Sequence, residues 1–323
     1  MKLISFSRLA TGLLAGALLL TACGGNNNTD TANAGEGSGS QELSGSVKVD
    51  GSSTVAPLTT AAAEFFKEEQ SGVNVTVGTS GTGGGFEKFC AGETDISDAS
   101  RPIDEEEEAP LCEEGAVEYT EIPVANDALT VVVSTENDWA DCLTTEQLKA
   151  IWEPGSKVRS WKDVDPSFPD EKLELFGPGT DSGTFDYFTD VINGEEGASR
   201  EDYSPSEDDN VIVQGVSGST GGLGYFGYTY FEENSDTLKA LKVDSGEGCV
   251  APSAETAQDG TYTPLSRPLF IYPSKAALDK PEVKAFLEFY LENDAEIAEA
   301  AQFIPLNDEQ KTEAQSAFDS IVR

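Results

Sequence analysis

Residues 47–103 decide the fold: VKVDGSSTVAPLTTAAAEFFKEEQSGVNVTVGTSGTGGGFEKFCAGETDISDASRPI. From Val47 a short β-type alternation runs into the turn Asp50-Gly51-Ser52-Ser53-Thr54. Val55, Leu58, Ala62, Phe65 and Phe66 then recur near helical spacing. Pro57 falls in the first helical turn, where its missing N–H costs little. Val73 to Val77 alternates with period two and enters Gly78-Thr79-Ser80-Gly81-Thr82-Gly83-Gly84-Gly85, which opens a second helix to Ala91. Asp95 to Ile103 reads as a third short strand spilling into a polar turn. This β-α-β-α-β order predicts a parallel sheet with ligands held at the C-terminal ends of its strands.

The same unit recurs from Leu173 to Ile192, where the turn is Gly177-Pro178-Gly179-Thr180-Asp181-Ser182-Gly183-Thr184. Each turn is an ordinary helix cap taken alone, since Ser, Thr and Asp cap helices and glycine supplies unusual backbone angles. Three in one chain point instead to a convergent site. A helix start offers free N–H groups, partial positive charge and short hydroxyl donors, which together suit a tetrahedral anion. None of the three carries the lysine of a nucleotide-binding P-loop.

The chain has 323 residues, which predicts two domains. Lys2 and Arg8 precede an apolar run from Leu13 to Leu20, too short to span a bilayer. The run ends in Leu20-Thr21-Ala22-Cys23, which resembles a bacterial lipoprotein lipobox. That resemblance implies a signal peptide over 1–22, acylation of Cys23, and an extracytoplasmic protein tethered in the periplasm or at the cell surface. Residues 23–45 are Gly, Asn, Thr, Ser and Ala with almost no large apolar side chain, and read as a flexible linker.

Twenty basic residues face 59 acidic ones, a net charge of −39, or −41 once the leader takes Lys2 and Arg8 with it. Such a field argues against nucleic acid or an anionic membrane surface as a partner. An anion would have to be recognised locally, through neutral dipoles. The run Asp104 to Glu108 reads as a solvated face. With no histidine in the chain, Ser-His-Asp and Cys-His catalysis have no base, and neither a metal nor a cofactor is expected. Cys90, Cys112, Cys142 and Cys249 remain after Cys23, enough for two disulfides in three possible connectivities. Cys90–Cys112 and Cys142–Cys249 are favoured because each pair then lies within one proposed lobe.

Further along, Tyr119 to Val124 and Leu129 to Val133 are two β-type runs interrupted by Ala125-Asn126-Asp127. Helices are expected at Thr145 to Trp152, Lys280 to Glu292 and Asp308 to Val322, with Asn210 to Val216 a helix or a strand end. Leu238 to Val243 and Pro264 to Tyr272 read as strands. Returning the C-terminal piece to the first domain gives one lobe of 46–124 with 263–323 and a second of 125–262. The crossings, near Ile122–Ala128 and Tyr262–Ser266, make a hinge.

Read with their neighbours, five strings resemble the phosphate-binding lipoproteins of bacterial ABC-type phosphate uptake systems. They are Asp50 to Leu58, Gly78 to Phe89, Asp95 to Ile103, Gly177 to Tyr187 and Gly221 to Tyr228, in the family's order. The resemblance implies an α/β, type II periplasmic-binding-protein fold of two lobes, each with a mixed or mostly parallel sheet. It implies a monomer that binds inorganic phosphate between the lobes and passes it to a membrane permease. Carried over residue by residue, it places Ser53, Thr54, Ser80, Ser182, Gly183 and Thr184 on the anion, with Asp98 accepting a hydrogen bond from a protonated phosphate oxygen. Many relatives carry an arginine shortly before the Ser-Gly-Thr, where this chain has Pro178, Gly179 and Thr180. Arg101 is the nearest candidate to replace it. A phosphate-ester hydrolase and a scavenger without a permease remain as alternatives.

Overall fold

The computed structural model describes residues 43–323. The expected signal peptide and Cys23 lie outside the described residues, as does the linker up to residue 42. In chain order the first part contains β1 (Ser44–Gly51), α1 (Ala56–Glu69), β2 (Gly72–Gly78), α2 (Thr82–Cys90), β3 (Ile96–Ala99), α3 (Ala109–Glu114) and β4 (Ile122–Ser134). The middle contains β5 (Cys142–Thr144), α4 (Thr145–Trp152), α5 (Trp161–Val164), β6 (Glu174–Pro178), α6 (Gly183–Phe188), β7 (Ser204–Ser206), α7 (Asp209–Ser217), β8 (Gly222–Gly227) and α8 (Tyr228–Glu233). The last part contains β9 (Leu238–Ala240), β10 (Lys242–Asp244), β11 (Cys249–Val250), α9 (Ala254–Gln258), β12 (Ser266–Pro273), α10 (Pro281–Glu292), α11 (Asp294–Ala300) and α12 (Asp308–Val322).

Nine strands form one mixed sheet in the order β2-β1-β3-β12-β4-β8-β6-β7, with β9 paired to β4 off that path. β1 pairs parallel with both β2 and β3, as β-α-β crossovers require. β12 is antiparallel to both β3 and β4, and β6 is parallel to β8 and β7. A separate sheet of three strands runs β11-β10-β5.

Two main cores lie within residues 43–323. One gathers Val47, Leu58, Ala62 and Phe66 from the N-terminal strands and helix with Phe286, Tyr290 and Phe318 from the C-terminal helices. Leu58, Ala62 and Phe66 sit four residues apart on one stripe of α1, so Glu64 between them stays in water. Phe66 meets the Phe286 ring edge-on at 5.5 Å. Fully burying side chains of this size contributes about 1.5–3 kcal/mol each. The other core runs from Leu129 to Leu265 and centres on Trp152, where Phe188 and Tyr225 stack at 3.9 Å. The disulfides are Cys90–Cys112 beside the first core and Cys142–Cys249 beside the second.

Two sequence expectations need correction. Order begins before Ser46, because Ser44 already pairs with Gly72 and Leu43 N–H donates to the Gln70 side chain. The two β runs around Asn126 are one strand of 13 residues, every one of them buried. Asn126 exchanges hydrogen bonds with the Gln310 amide and Asp127 pairs with Arg267, so polar residues that resemble a break are satisfied inside the sheet. Elsewhere, Tyr225 to Phe231 divides between β8 and α8, and Thr189–Asn193 continues α6 as a π-helical turn.

Candidate functional site

The strand ends set the site. β1, β2 and β3 point the same way, and the segments that leave their C-terminal ends line a common cavity of about 490 Å³. Ser52, Ser53 and Thr54 come from the first turn, Ser80 to Gly84 from the second, and Ser100, Arg101 and Pro102 from the end of β3. The opposite wall is Gly183 with one side of α6 and the turn after it: Asp186, Tyr187, Asp190, Val191 and Glu196.

Close backbone packing holds the first two turns together. Gly51 has φ +146°, and a Cβ there would lie 2.1 Å from the Asp98 carbonyl oxygen. A Cβ on Gly85 would sit 2.5 Å from Gly51 Cα. Ser52 N–H donates to the Asp98 carbonyl at 2.9 Å, and Gly81 N–H to the Gly51 carbonyl at 3.0 Å. Ser80 is tied down by Asp50, whose carboxylate accepts from the Ser80 N–H and hydroxyl and from Lys88. Burial would raise the Asp50 carboxyl, but Lys88 and Ser80 outweigh it and hold it below the usual carboxylate range. Gly81 caps α2 with no side-chain hydrogen bond of its own. Thr54 and Gly183 meet across the cavity, where a Cβ on Gly183 would fall 2.8 Å from the Thr54 hydroxyl.

Of the residues expected on the anion, Ser53, Thr54, Ser80, Arg101 and Gly183 line this cavity. Ser182 caps α6 by accepting from Thr184 N–H at 3.2 Å, and Thr184 faces a smaller depression beside Asn126 and Asp209. Asp98 is not at the cavity. The period-two alternation of β3 turns it to the same side as Ile96, toward α1, where it is 0% exposed and accepts the Thr59 hydroxyl at 2.9 Å. Burial pushes its carboxyl up to about 8, which favours the protonated form at neutral pH.

Arg101 reaches the cavity but is already engaged. Both of its terminal nitrogens donate to Glu108 at 2.7 Å, and its side chain is 48% exposed. Burial alone would raise Glu108, but Arg101 and the Asp104 N–H hold it below its usual range. The Asp104–Glu108 run is therefore more than a solvated face.

Sequence reading missed Arg267. Phe270 pairs antiparallel with Ala99, so β12 carries Arg267 three residues past the end of β3, into the region where Ser100 and Arg101 leave the sheet. Its Nε lies 3.2 Å from Asp127, its Nη2 donates to the Thr54 hydroxyl at 3.1 Å, and its guanidinium lies 3.6 Å from the Tyr187 ring centroid. Only the Ser-Arg-Pro string marks it in the sequence, 213 residues from Thr54. On the opposite wall, burial and then Glu196 raise the Asp186 carboxyl, against the pull of Arg267.

A two-core α/β fold whose turns surround one polar cavity between a sheet mouth and an opposing helix defines a binding protein of the periplasmic type. The chain belongs to the PBP superfamily, whose domain matches residues 36–294, and within it to the family of the SphX and PstS proteins. It is 46% identical over 310 residues to SphX of Synechocystis sp., covering 95% of this chain and 88% of that protein. It is 42% identical over 315 residues to the phosphate-binding protein PstS of Staphylococcus saprophyticus, covering 97% and 93%. The crystal structure of a possible phosphate binding protein from Planctomyces limnophilus superposes with a TM-score of 0.82 at 48% identity, covering 87% of this chain and all of that one.

Proposed function

We propose that the cavity binds inorganic phosphate with high affinity and that the chain delivers it to an ABC permease for uptake. The observation that carries this reading is the meeting of the two Gly/Ser/Thr turns, Arg101 and Arg267 on one side with Gly183 on the other. Hydroxyls, backbone N–H groups and guanidinium forks are the donors that a tetrahedral oxyanion takes. Hydrogen bonds of this kind strengthen as water leaves. In a chain this acidic, the cation has to be local. The sequence relationship to a phosphate-binding protein supports phosphate among such anions.

In this reading Ser53, Thr54, Ser80, Arg101 and Gly183 contact the ligand directly, while Ser182 and Thr184 shape the opposing turn. The lobes are 46–124 with 263–323 and 125–262, hinged on β4 and β12; the gathering of Phe66 and Phe286 in one core and of Trp152 and Phe188 in another supports that division. The leader is removed before Cys23, which takes a lipid and leaves a monomer tethered outside the cytoplasmic membrane. The protein binds without turnover.

Titration of the purified chain with phosphate, arsenate and sulfate tests this. Tight phosphate and arsenate binding with weak sulfate binding is expected. Tight sulfate binding with no response to phosphate would overturn it.

A further inference from the structure

The geometry points to Arg267 as the residue that reads the anion and couples its capture to closure of the two halves. This rests on the phosphate reading of the cavity and adds a residue and a mechanism to it.

The position of Arg267 in the sheet is the first argument. It stands on β12 in cross-strand register with Asp127 on β4, and these are the two strands that carry the chain from one core to the other. Its ion-pair partner is 6% exposed and cannot be screened by water. Burial raises the Asp127 carboxyl and Arg267 offsets only part of that, and the two side chains meet 3.2 Å apart at the crossing.

The second argument is what else the guanidinium touches. Nη2 reaches Thr54 on the first anion-type turn, while the flat face rests on Tyr187 of α6 on the opposite wall. Tyr187 is itself fixed, donating its hydroxyl to the Pro264 carbonyl at 2.6 Å, just before β12. One side chain thus bridges the crossing strands, the sheet mouth and the facing helix.

The third is spare donor capacity. A guanidinium has five N–H groups. Nε goes to Asp127 and one Nη2 N–H to Thr54, and the remainder have no hydrogen-bond partner among the described residues. They belong to a side chain that lines the cavity. Arg101, by contrast, spends both terminal nitrogens on Glu108. The arginine absent before Ser182 is therefore replaced from the far end of the chain. An anion seated on the open edge of Arg267 completes its bridge between Thr54 and Tyr187, which holds the halves closed.

The test uses inorganic phosphate and two readouts, affinity by calorimetry and the phosphate-induced fall in radius of gyration by small-angle scattering. R267K keeps a positive charge but loses the fork. It should weaken phosphate binding at least about thirtyfold and abolish the compaction even at saturating phosphate. R101K should weaken binding less than about tenfold and keep the compaction. Because R267K strains a buried pair, the double variant D127N/R267Q removes both charges together and should show the same two losses with native circular dichroism. Phosphate binding within about threefold of wild type in either Arg267 variant, with compaction retained, would overturn the inference. Wild-type protein that ignores phosphate would instead sink the phosphate reading itself, so the two failures are distinguishable.

Discussion

Replacing Asp98 by asparagine should separate a buried acid from the ligand site. Asp98 is fully buried, with Oδ1 accepting from Thr59 and Oδ2 without a partner among the described residues. Its carboxyl titrates at about 8 in the folded protein, against about 4 in an unfolded chain. Between those values the folded state keeps a proton that the unfolded state has released. The stability from this group is therefore complete below about pH 4 and is lost as pH rises toward 8. Each pH unit in that window is worth about 1.4 kcal/mol, so moving from pH 5 to pH 8 costs wild type roughly 4 kcal/mol from this residue alone. Asparagine has nearly the same shape, can accept from Thr59 and does not titrate. Urea unfolding of both proteins at about pH 5, 6.5 and 8, at fixed ionic strength, should show the variant gaining on wild type by roughly that amount. Phosphate affinity, measured beside it, should stay within about twofold because the side chain faces α1 and not the cavity. A stability difference constant across pH would refute the buried-acid argument. A tenfold loss of phosphate affinity would return Asp98 to the ligand.

Gly85→Ala should destabilise the protein by about 1–3 kcal/mol in chemical unfolding and weaken phosphate binding, because the new methyl meets Gly51 Cα and pushes the second turn off the first. Unchanged affinity would show that the turns tolerate separation. The disulfides should contribute unequally: Cys142–Cys249, spanning 107 residues, about 5 kcal/mol, and Cys90–Cys112, spanning 22, about 3 kcal/mol, read from paired Cys→Ser variants. Salt should stabilise the chain. Its net charge of −39 repels itself, and raising salt from about 0.1 to 1 M shortens the screening length from about 10 to 3 Å, so the urea midpoint should rise. A falling midpoint would contradict that.

What the sequence showed locally, it showed well. α12 occupies Asp308–Val322 as its periodicity predicts, capped by Asn307 and Gln310, and β1 to β3 form the parallel unit read from residues 47–103. It failed where a residue's partner is distant. Asn126 and Asp127 resemble a strand break because nothing nearby shows that Gln310 and Arg267 satisfy them. Glu108 looks like one more surface acid until Arg101 folds onto it. Asp98 was misplaced for a different reason: motif order located it on the right strand, and only the alternation of that strand decides which face it takes. The Ser-Arg-Pro string around Arg267 does not by itself place it in a site, because its meaning depends on the antiparallel insertion of β12 beside β3.

That insertion also dictates the order in which the molecule can be finished. β12 lies between β3 and β4, yet it is built from residues 266–273, long after both neighbours. A chain emerging N-terminus first therefore holds two open strand edges until its last fifth arrives, and such edges invite pairing with other chains. The cation at the cavity mouth comes with the same late strand. A growing or truncated chain lacks both the joined sheet and Arg267, so the cavity lining is completed only with this late strand.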